Sequence, residues 1–284
     1  MLILIADSGA TKTAWTVLEN GRNETFFSQG IAPYLMSQEQ IESILTTELL
    51  PSIKKTHFDA IYYYGTGCKN PNNAALVHQA LTAVFNTTPV VEVSHDMMAA
   101  AKATCQNEAG IACILGTGSN SAYFDGTDIV HNRSGIGFIL GDEGSGAYLG
   151  KKVIQYYLYE TFDVELKEKF DQKYQTNPAE ILENVYKKPL PNRYLADFTK
   201  FLAENRNHFM IENIIEDGLN DFFFTHLCRY EQSESVPIHF VGGVAAGFSD
   251  VLESLCSDYG FQPGKILNNP MTGLIEYHQS AMEK

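Results

Sequence analysis

The sequence is short of positive charge. Its 284 residues contain 20 Lys and Arg against 34 Asp and Glu, which gives a formal net charge of −14. A chain this acidic repels nucleic-acid phosphates and anionic membrane surfaces at long range, so we expect neither nucleic acid nor a membrane as a partner. Nucleotide phosphates stay compatible with it, because backbone N–H groups and a metal ion bind them locally.

Cysteine pairs and long apolar runs are also missing. The five cysteines form no CxxC pair and have no zinc-ligand spacing, so we interpret them as reduced thiols in the core. No segment is apolar over the length of a membrane span, and the residues that follow Met1 lack the basic lead of a signal peptide. We therefore expect a cytoplasmic protein.

What the sequence does contain is a repeated pattern of strands and polar turns. An apolar run over residues 2–6 leads into the turn DSGATKT, and two further strands flank the hairpin turn NG at residues 20–21. The pattern restarts at residue 111, where an apolar run leads into the turn GTGSN and two strands flank DG at residues 125–126. Two such copies predict a tandem duplication of one supersecondary unit, with a domain boundary within residues 105–110.

The remaining segments predict helices and further strands. Ser37 opens a capping box, which predicts a helix that ends at Pro51. Apolar runs at residues 60–64 and 90–93 predict two strands, and a helix of small residues follows the second. After the second copy, apolar spacing predicts mostly helix over residues 146–229, with the aromatic side chains there in a core.

The first polar turn has the composition of a phosphate site. Glycine lets the backbone approach an anion, while hydroxyls and successive N–H groups supply donors. Asp7, at the strand end, offers the oxygen ligand that Mg²⁺ prefers. A Walker-type loop is excluded, because its pattern is absent and no helix follows, and an ordinary polar hairpin is the alternative. The candidate phosphate-binding residues of this turn are Ser8, Gly9, Thr11, Lys12 and Thr13.

The second polar turn occupies the matching place in the second copy. Its candidate residues are Gly116, Thr117 and Gly118, and a simple turn is again the alternative. Two donor-rich hairpins from two related halves can bind one phosphate chain from both sides. That symmetry is harder to obtain by chance than either turn, so we favour the phosphate interpretation for the pair.

Asp96 follows the strand at residues 90–93 and opens a helix. A carboxylate in this position can cap the helix. It can also act as a base that accepts the proton of a hydroxyl while that hydroxyl attacks a phosphate. In the company of the two turns we favour the base.

Two glycine-rich segments complete the set of motifs. In residues 135–146, many glycines surround Asp142 and Glu143, which predicts a close-packed loop whose carboxylates bind sugar hydroxyls or a metal, with a solvated loop as the alternative. Gly242 and Gly243 follow a buried strand and leave room for a flat ligand against bare backbone, although Gly-Gly turns are common.

These five segments, in this order, resemble the actin-like ATPase superfamily, which includes sugar kinases and chaperone ATPases. More narrowly they resemble the BadF/BadG/BcrA/BcrD ATPase-type family, whose kinase branch contains N-acetylglucosamine kinase. The match covers residues 2–247, and GTGSN followed by GDEGSG is its most specific element. The resemblance implies an α/β fold of two ribonuclease-H-like domains with an interdomain cleft. It implies domains at residues 1–107 and 108–284, the second with a helical insertion and a last helix that packs back on the first.

The resemblance also implies an activity. It implies a phosphotransferase that uses ATP and Mg²⁺ and transfers the γ-phosphoryl group to a hydroxyl of an amino sugar, with N-acetylglucosamine as the leading candidate. In this scheme Asp96 is the catalytic base and Asp7 holds the metal. The implied nucleotide- and phosphate-binding residues are Ser8, Gly9, Thr11, Lys12, Thr13, Gly116, Thr117, Gly118, Gly242, Gly243 and Val244. The implied sugar-binding residues are Gly67, Asn120, Asp142 and Glu143.

One departure from the family pattern affects the sugar. The family often has Gly-x-Asn-Pro after the third strand, with the asparagine reaching the sugar, whereas this chain has Ala32 in that place. Loss of an amide that pairs with a hydroxyl weakens or alters sugar binding. Phosphate and nucleotide binding are unaffected by it.

Other functions of the same fold are considered beside this one. An activator ATPase of 2-hydroxyacyl-CoA dehydratases needs thiolates that share an iron–sulfur cluster, and the only near pair, Cys105 and Cys113, lacks that frame. A nucleotide-dependent sensor without a sugar acceptor gains support from Ala32 but has no need of Asp96. A repressor is excluded, because no helix-turn-helix precedes Asp7 and the chain is acidic. The sequence leaves a homodimer open.

Overall fold

The computed structural model describes residues 1–282, and the chain divides into two compact units. The first unit contains Met1–Asn107 and the segment that starts at Pro270, and the second unit contains Glu108–Asn269. The predicted second domain ran to residue 284, with its last helix packing back on the first domain. In the structure, the chain returns to the first unit at Pro270.

The first unit is built on a five-stranded sheet with the order β3-β2-β1-β4-β5. Its strands are β1 (Leu2–Ser8), β2 (Lys12–Glu19), β3 (Arg22–Gln29), β4 (Ala60–Gly65) and β5 (Val90–His95). β1, β2 and β3 form an antiparallel meander, whereas β4 and β5 run parallel to β1. The carboxyl ends of β1, β4 and β5 therefore lie side by side, because Ser8 pairs with Gly65 and Gly65 with His95.

The helices of this unit are α1 (Gln38–Ile44), α2 (Leu50–Ile53), α3 (Pro71–Val84) and α4 (Asp96–Cys105), with a π-helical turn at Leu45–Leu49. The predicted capping box is confirmed, because the Gln40 N–H donates to Ser37 Oγ and the Ser37 N–H donates to Gln40 Oε1. The predicted end at Pro51 is wrong. Pro51 lies in the first turn of α2, where a missing N–H is tolerated, and the helix ends before Lys54, which has a left-handed backbone with φ 52°.

The second unit repeats the architecture. Its sheet has the order β10-β9-β6-β7-β8. The strands are β6 (Ala109–Leu115), β7 (Ser119–Asp125), β8 (Ile129–Ser134), β9 (Ile238–Val241) and β10 (Pro263–Leu267). β6, β7 and β8 form the antiparallel meander, and β9 and β10 run parallel to β6. The same order and directions in both sheets confirm the predicted duplication.

A long helical segment separates β8 from β9. The helices of the second unit are α5 (Gly146–Leu158), α6 (Val164–Tyr174), α7 (Pro178–Tyr186), α8 (Pro191–Asp197), α9 (Thr199–Glu204), α10 (Phe209–Thr225), α11 (Gly243–Gly247) and α12 (Ser249–Asp258), with a 3₁₀ turn at Leu227–Arg229. Their aromatic side chains pack together as predicted. The rings of Phe162, Phe170, Phe198 and Phe201 are buried in one cluster.

The last helix, α13 (Met271–Met282), belongs to the first unit. Its His278 ring stacks on Tyr62 with centroids 3.9 Å apart, and His278 Nε2 lies 3.0 Å from the Tyr64 hydroxyl. The helix also meets α4 closely, since a Cβ on Gly273 would lie 2.1 Å from the Ala103 carbonyl oxygen. Among residues 1–282, no helix combines the length and apolarity that a membrane crossing requires.

Candidate active site

The predicted site residues of the first unit lie where three parallel strands end. Asp7 lies near the end of β1, Gly67 lies in the turn after β4, and Asp96 is the residue directly after β5. Because β1, β4 and β5 are neighbours in the sheet, these positions share one edge. Ligands of open α/β sheets bind at the carboxyl ends of the strands.

The turn between β1 and β2 is closed by its own hydrogen bonds. Ser8 Oγ lies 2.7 Å from Thr13 Oγ1, and the Gly9 N–H donates to the Lys12 carbonyl at 3.0 Å. Ser8 and Thr13 are buried, so their hydroxyls stabilise the turn from inside the protein and are not exposed to a ligand. The predicted residues that remain exposed at its tip are Gly9, Thr11 and Lys12.

A glycine outside this turn fixes its position. A Cβ on Gly30 would lie 2.4 Å from both the Gly9 carbonyl oxygen and the Thr11 nitrogen. Because both contacts are to backbone atoms, no side-chain rearrangement can make room. The segment after β3 therefore supports the candidate phosphate turn directly, which explains why position 30 is a glycine.

Asp7 and Asp96 form a pair of half-buried carboxylates. Burial, together with the negative charge of Asp96, raises the pKa of Asp7 to about 6. Burial also raises the pKa of Asp96, an effect that the Met97 N–H partly offsets by donating to Asp96 Oδ1 at 2.8 Å. The charges of His95 and Lys69 lower the pKa of Asp96. No positive charge among residues 1–282 acts on Asp7 in the same way, so Asp7 favours the binding of a cation.

The alternative of Asp96 as a helix cap does not hold. The N-cap of α4 is His95, whose Nδ1 accepts the Met98 N–H at 3.3 Å. Asp96 is thus the first residue inside the helix. Its half-buried carboxylate lies at the edge of the sheet where β1, β4 and β5 end.

The residues present fit a magnesium ion better than a metal that needs a full set of protein ligands. Among residues 1–282, no cluster of three or more His, Cys, Asp or Glu side chains could hold a metal by itself. Magnesium is usually bound by one or two carboxylates and completes its shell with water and phosphate oxygens. Asp7 offers such a carboxylate, and Asp96 lies close enough for its charge to raise the pKa of Asp7.

The turn after β4 brings an aromatic ring that sequence reasoning missed. Gly67 has φ +79°, and a Cβ there would lie 2.9 Å from Cδ1 of Tyr34. The Tyr34 side chain is 54% exposed, so one part of its ring contacts the turn and the rest is open to a ligand. Ala32, two residues earlier, is buried. The signal in the sequence is an aromatic residue directly after the Gly-Ile-Ala-Pro turn.

In the second unit, the predicted motifs also come together. The Gly116 carbonyl accepts the Gly146 N–H at 2.8 Å, and the Thr117 carbonyl accepts the Ala147 N–H at 3.1 Å. The second polar turn therefore rests on the start of α5, which follows the GDEGSG segment. Gly242 has φ +131°, and a Cβ there would lie 2.2 Å from the Leu115 carbonyl oxygen. The junction from β9 to α11 is thus packed at Gly242 against the start of the same turn, and Gly243 and Val244 follow Gly242 as the first residues of α11.

Asp142 lies against the second polar turn in a space that glycines leave. A Cβ on Gly118 would lie 3.0 Å from Asp142 Oδ2, and a Cβ on Gly135 would lie 2.3 Å from Asp142 Oδ1. Asp142 has a left-handed backbone with φ 58°, and its Oδ1 accepts the Gly137 N–H at 3.3 Å. Burial raises its pKa, the N–H of Gly137 opposes this, and the charge of Glu143 adds to it.

Asn120 and Glu143 each have a partner that the motifs did not predict. Asn132 Nδ2 donates to Asn120 Oδ1 at 2.8 Å. Glu143 Oε2 lies 3.4 Å from Nε2 of the buried His226. The structure thus gathers the predicted residues into two groups, one in each unit.

Comparison with known proteins shows which family the chain belongs to. A scan of protein-family models and a search of curated proteins find no match. Among solved structures, a proposed N-acetylglucosamine kinase from Porphyromonas gingivalis is 40% identical, with a TM-score of 0.93 over 98% of this chain and 99% of that one. The chain belongs to the N-acetylglucosamine kinase-like group of actin-like sugar kinases.

More distant structures of this superfamily share the fold alone. A proposed N-acetylglucosamine kinase from Chromobacterium violaceum is 15% identical, with a TM-score of 0.64 over 97% of this chain and 98% of that one. A ROK family glucokinase from Streptomyces griseus, solved with glucose and AMPPNP, is 15% identical, with a TM-score of 0.60 over the full length of both chains. The present chain therefore has the fold of the actin-like ATPases, an α/β fold with two related sheets.

Proposed function

We propose that the protein is an ATP-dependent sugar kinase that phosphorylates a hydroxyl of an amino sugar, with N-acetylglucosamine as the first candidate. The observation that supports this most is the pair of half-buried carboxylates, Asp7 and Asp96, at the sheet edge beside an exposed turn of phosphate-binding composition. The relative from Porphyromonas gingivalis supports the choice of sugar. Within the superfamily, the order of the five motifs supports membership of the BadF/BadG/BcrA/BcrD ATPase-type family.

Asp96 is the proposed catalytic base. Burial raises its pKa, which makes it a better proton acceptor than an exposed aspartate. The acceptor hydroxyl attacks the γ-phosphorus of ATP in line, its proton passes to Asp96, and the bond from phosphorus to the ADP oxygen breaks. The products are a sugar phosphate and ADP.

Asp7 is the proposed metal residue. It would hold Mg²⁺ together with phosphate oxygens and water, and Asp96 lies close enough to raise its pKa by charge. When bound, Mg²⁺ neutralises negative charge on the phosphates. We propose that the exposed tip of the first turn binds phosphates of ATP. For the second unit, we propose that the Gly116–Gly118 turn also binds phosphate and that Gly242, Gly243 and Val244 contact adenosine.

The proposed sugar-binding residues come from both units. We propose that Asn120, Asp142 and Glu143 pair with its hydroxyls, and that the turn at Gly67 and the ring of Tyr34 meet its apolar face. Ala32 leaves one hydroxyl without the amide that the family often supplies. The preferred amino sugar can therefore differ from that of family members with the asparagine.

A panel of hexoses and N-acetylhexosamines with ATP and Mg²⁺, followed by coupled ADP release, tests the activity. Asp96→Asn should lower sugar phosphorylation by about three powers of ten or more and leave ATP affinity unchanged, because it removes the proton acceptor but no phosphate contact. Asp125→Asn, the same change at an exposed hairpin, is the matched control. An active Asp96→Asn enzyme would show that the base is elsewhere.

A second candidate is an ATPase sensor without a sugar acceptor. Ala32 at the place of the sugar-contacting asparagine favours it. The two candidates differ in one measurement, the dependence of ADP release on sugar. Release that no sugar of the panel accelerates over background hydrolysis would favour the sensor and reject the kinase.

A further inference from the structure

His226 lies directly after α10 in the second unit and belongs to none of the sequence motifs. It is 6% exposed, and its ring stacks on Phe222 with centroids 4.7 Å apart. Both ring nitrogens face polar atoms of the protein. The partners of each nitrogen therefore determine where its hydrogens are.

The Nδ1 atom of His226 faces two oxygens. It lies 3.2 Å from the Arg133 carbonyl oxygen and 3.3 Å from Ser121 Oγ. A carbonyl oxygen only accepts, so the contact with Arg133 is attractive only if Nδ1 has a hydrogen. The Ser121 hydroxyl has other partners, since its oxygen lies 2.9 Å from the Tyr230 hydroxyl and 3.4 Å from the Arg133 carbonyl. These distances place a hydrogen on Nδ1.

The Nε2 atom of His226 faces a carboxylate. It lies 3.4 Å from Glu143 Oε2, and the side chains of His226 and Glu143 are 8% and 19% exposed. A bare ring nitrogen and an ionised carboxylate both only accept, so they repel each other. We propose that His226 and Glu143 share one proton besides the hydrogen on Nδ1, and that His226 thereby positions Glu143 for the acceptor sugar.

The shared proton fixes one oxygen of the carboxylate and leaves the other for a ligand. Within the described part of the chain, Glu143 Oε1 forms no hydrogen bond. The neighbouring predicted sugar residue is held by the same network, since Asn132 Nδ2 donates to Asn120 Oδ1 and to the Ser121 carbonyl. Asp142 and Lys151 are charged groups that interact electrostatically with the pair. The role toward the sugar rests on the proposed function, whereas the shared proton does not.

Nitrogen NMR of the protein labelled at its 8 histidines tests the shared proton. His226 should show a hydrogen on Nδ1, and its signals are identified by their loss in His226→Gln. His239 is an internal control with the opposite pattern, because the Lys265 N–H donates to its Nδ1 at 2.8 Å and leaves the hydrogen on Nε2. A neutral His226 with a bare Nδ1 and a hydrogen on Nε2 would overturn the proposal, since Glu143 would then need no further proton.

Two amide variants test the positioning of Glu143. A glutamine side chain at this position would be long enough to donate at the place of Nε2, whereas an asparagine reaches only the place of Nδ1. His226→Asn should therefore raise the KM for the sugar about tenfold or more at unchanged KM for ATP, and His226→Gln should stay near wild type. Equal loss in both variants, or loss in neither, would overturn the positioning role. Thermal unfolding of both variants confirms that the comparison concerns folded protein.

The two proposals fail differently. If the wild-type protein phosphorylates no sugar of the panel, the proposed kinase function fails and the positioning role falls with it. The NMR result still decides the shared proton in that case. If the wild type is active and His226→Asn matches it, only the positioning role fails.

Discussion

Asp7→Asn should make the ligand-free protein more stable at neutral pH. Burial and the charge of Asp96 raise the pKa of Asp7 to about 6 from an ordinary value of 3.8. One pKa unit corresponds to about 1.4 kcal/mol, so keeping Asp7 ionised costs the folded protein about 3 kcal/mol at pH 7. Asparagine has no charge to bury, and the variant should gain up to that amount in the free energy of unfolding.

The pH dependence has a defined direction. Because the folded pKa of Asp7 lies above the unfolded one, the folded state binds the proton more tightly. The cost of the charge is therefore absent below about pH 4, grows between about pH 4 and 6, and stays constant above. Urea unfolding across this range, without Mg²⁺ or nucleotide, should show the stability difference between variant and wild type growing with pH.

A matched aspartate should behave in the opposite way. Asp125 is exposed, and the N–H groups of Asp128 and Thr127 lower its pKa. Asp125→Asn should therefore lose stability relative to wild type as pH rises, because ionised Asp125 is favoured by folding. If Asp7→Asn shows the same stability difference at low and neutral pH, or is less stable than wild type at neutral pH, the uncompensated charge at Asp7 is refuted. Addition of Mg²⁺ and ATP should stabilise the wild type more than Asp7→Asn.

Two further predictions concern the first unit. Gly30→Ala should destabilise the protein by about 2–3 kcal/mol and weaken ATP binding, because the new Cβ would meet the backbone of the phosphate turn, and urea unfolding with nucleotide titration measures both. Gly247→Ala, where a Cβ meets open space, is its control, and equal effects in the two would contradict the contact. Ser37→Ala should cost about 1 kcal/mol of unfolding free energy through loss of the capping box, while sugar-kinase kinetics stay unchanged. An unchanged unfolding midpoint would show that the cap contributes nothing.

Most of the fold was predictable from local sequence patterns. The apolar runs that end in DSGATKT and GTGSN predicted β1 and β6, because buried central strands and donor-rich turns differ sharply in composition. The Ser37 capping box was readable for the same reason, since both partners lie within one turn. Pro51 misled the prediction, because proline ends a helix in its interior but is compatible with the first turn of the next one. β10 was missed, as a short strand at a sheet edge has little apolar pattern.

The site was predictable only where its residues sit at the ends of elements. Asp7 lies near the end of β1, Asp96 follows β5, and the sheet brings the ends of these strands to one edge. The partners of these residues come from elsewhere in the chain. His226 lies 83 positions from Glu143, and Gly30 and Tyr34 meet the turns through tertiary packing. No local spacing encodes such contacts, because they depend on how the elements pack.

The return of α13 has a consequence for the order in which the protein is completed during synthesis. The second unit is one uninterrupted stretch, whereas the first unit is formed from both ends of the chain. A ribosome therefore synthesises all of the second unit before it makes the helix that packs on Tyr62 and Tyr64. A premature stop after Asn269 would leave the second unit complete, whereas the first unit would lack α13 and expose Tyr62 and Tyr64.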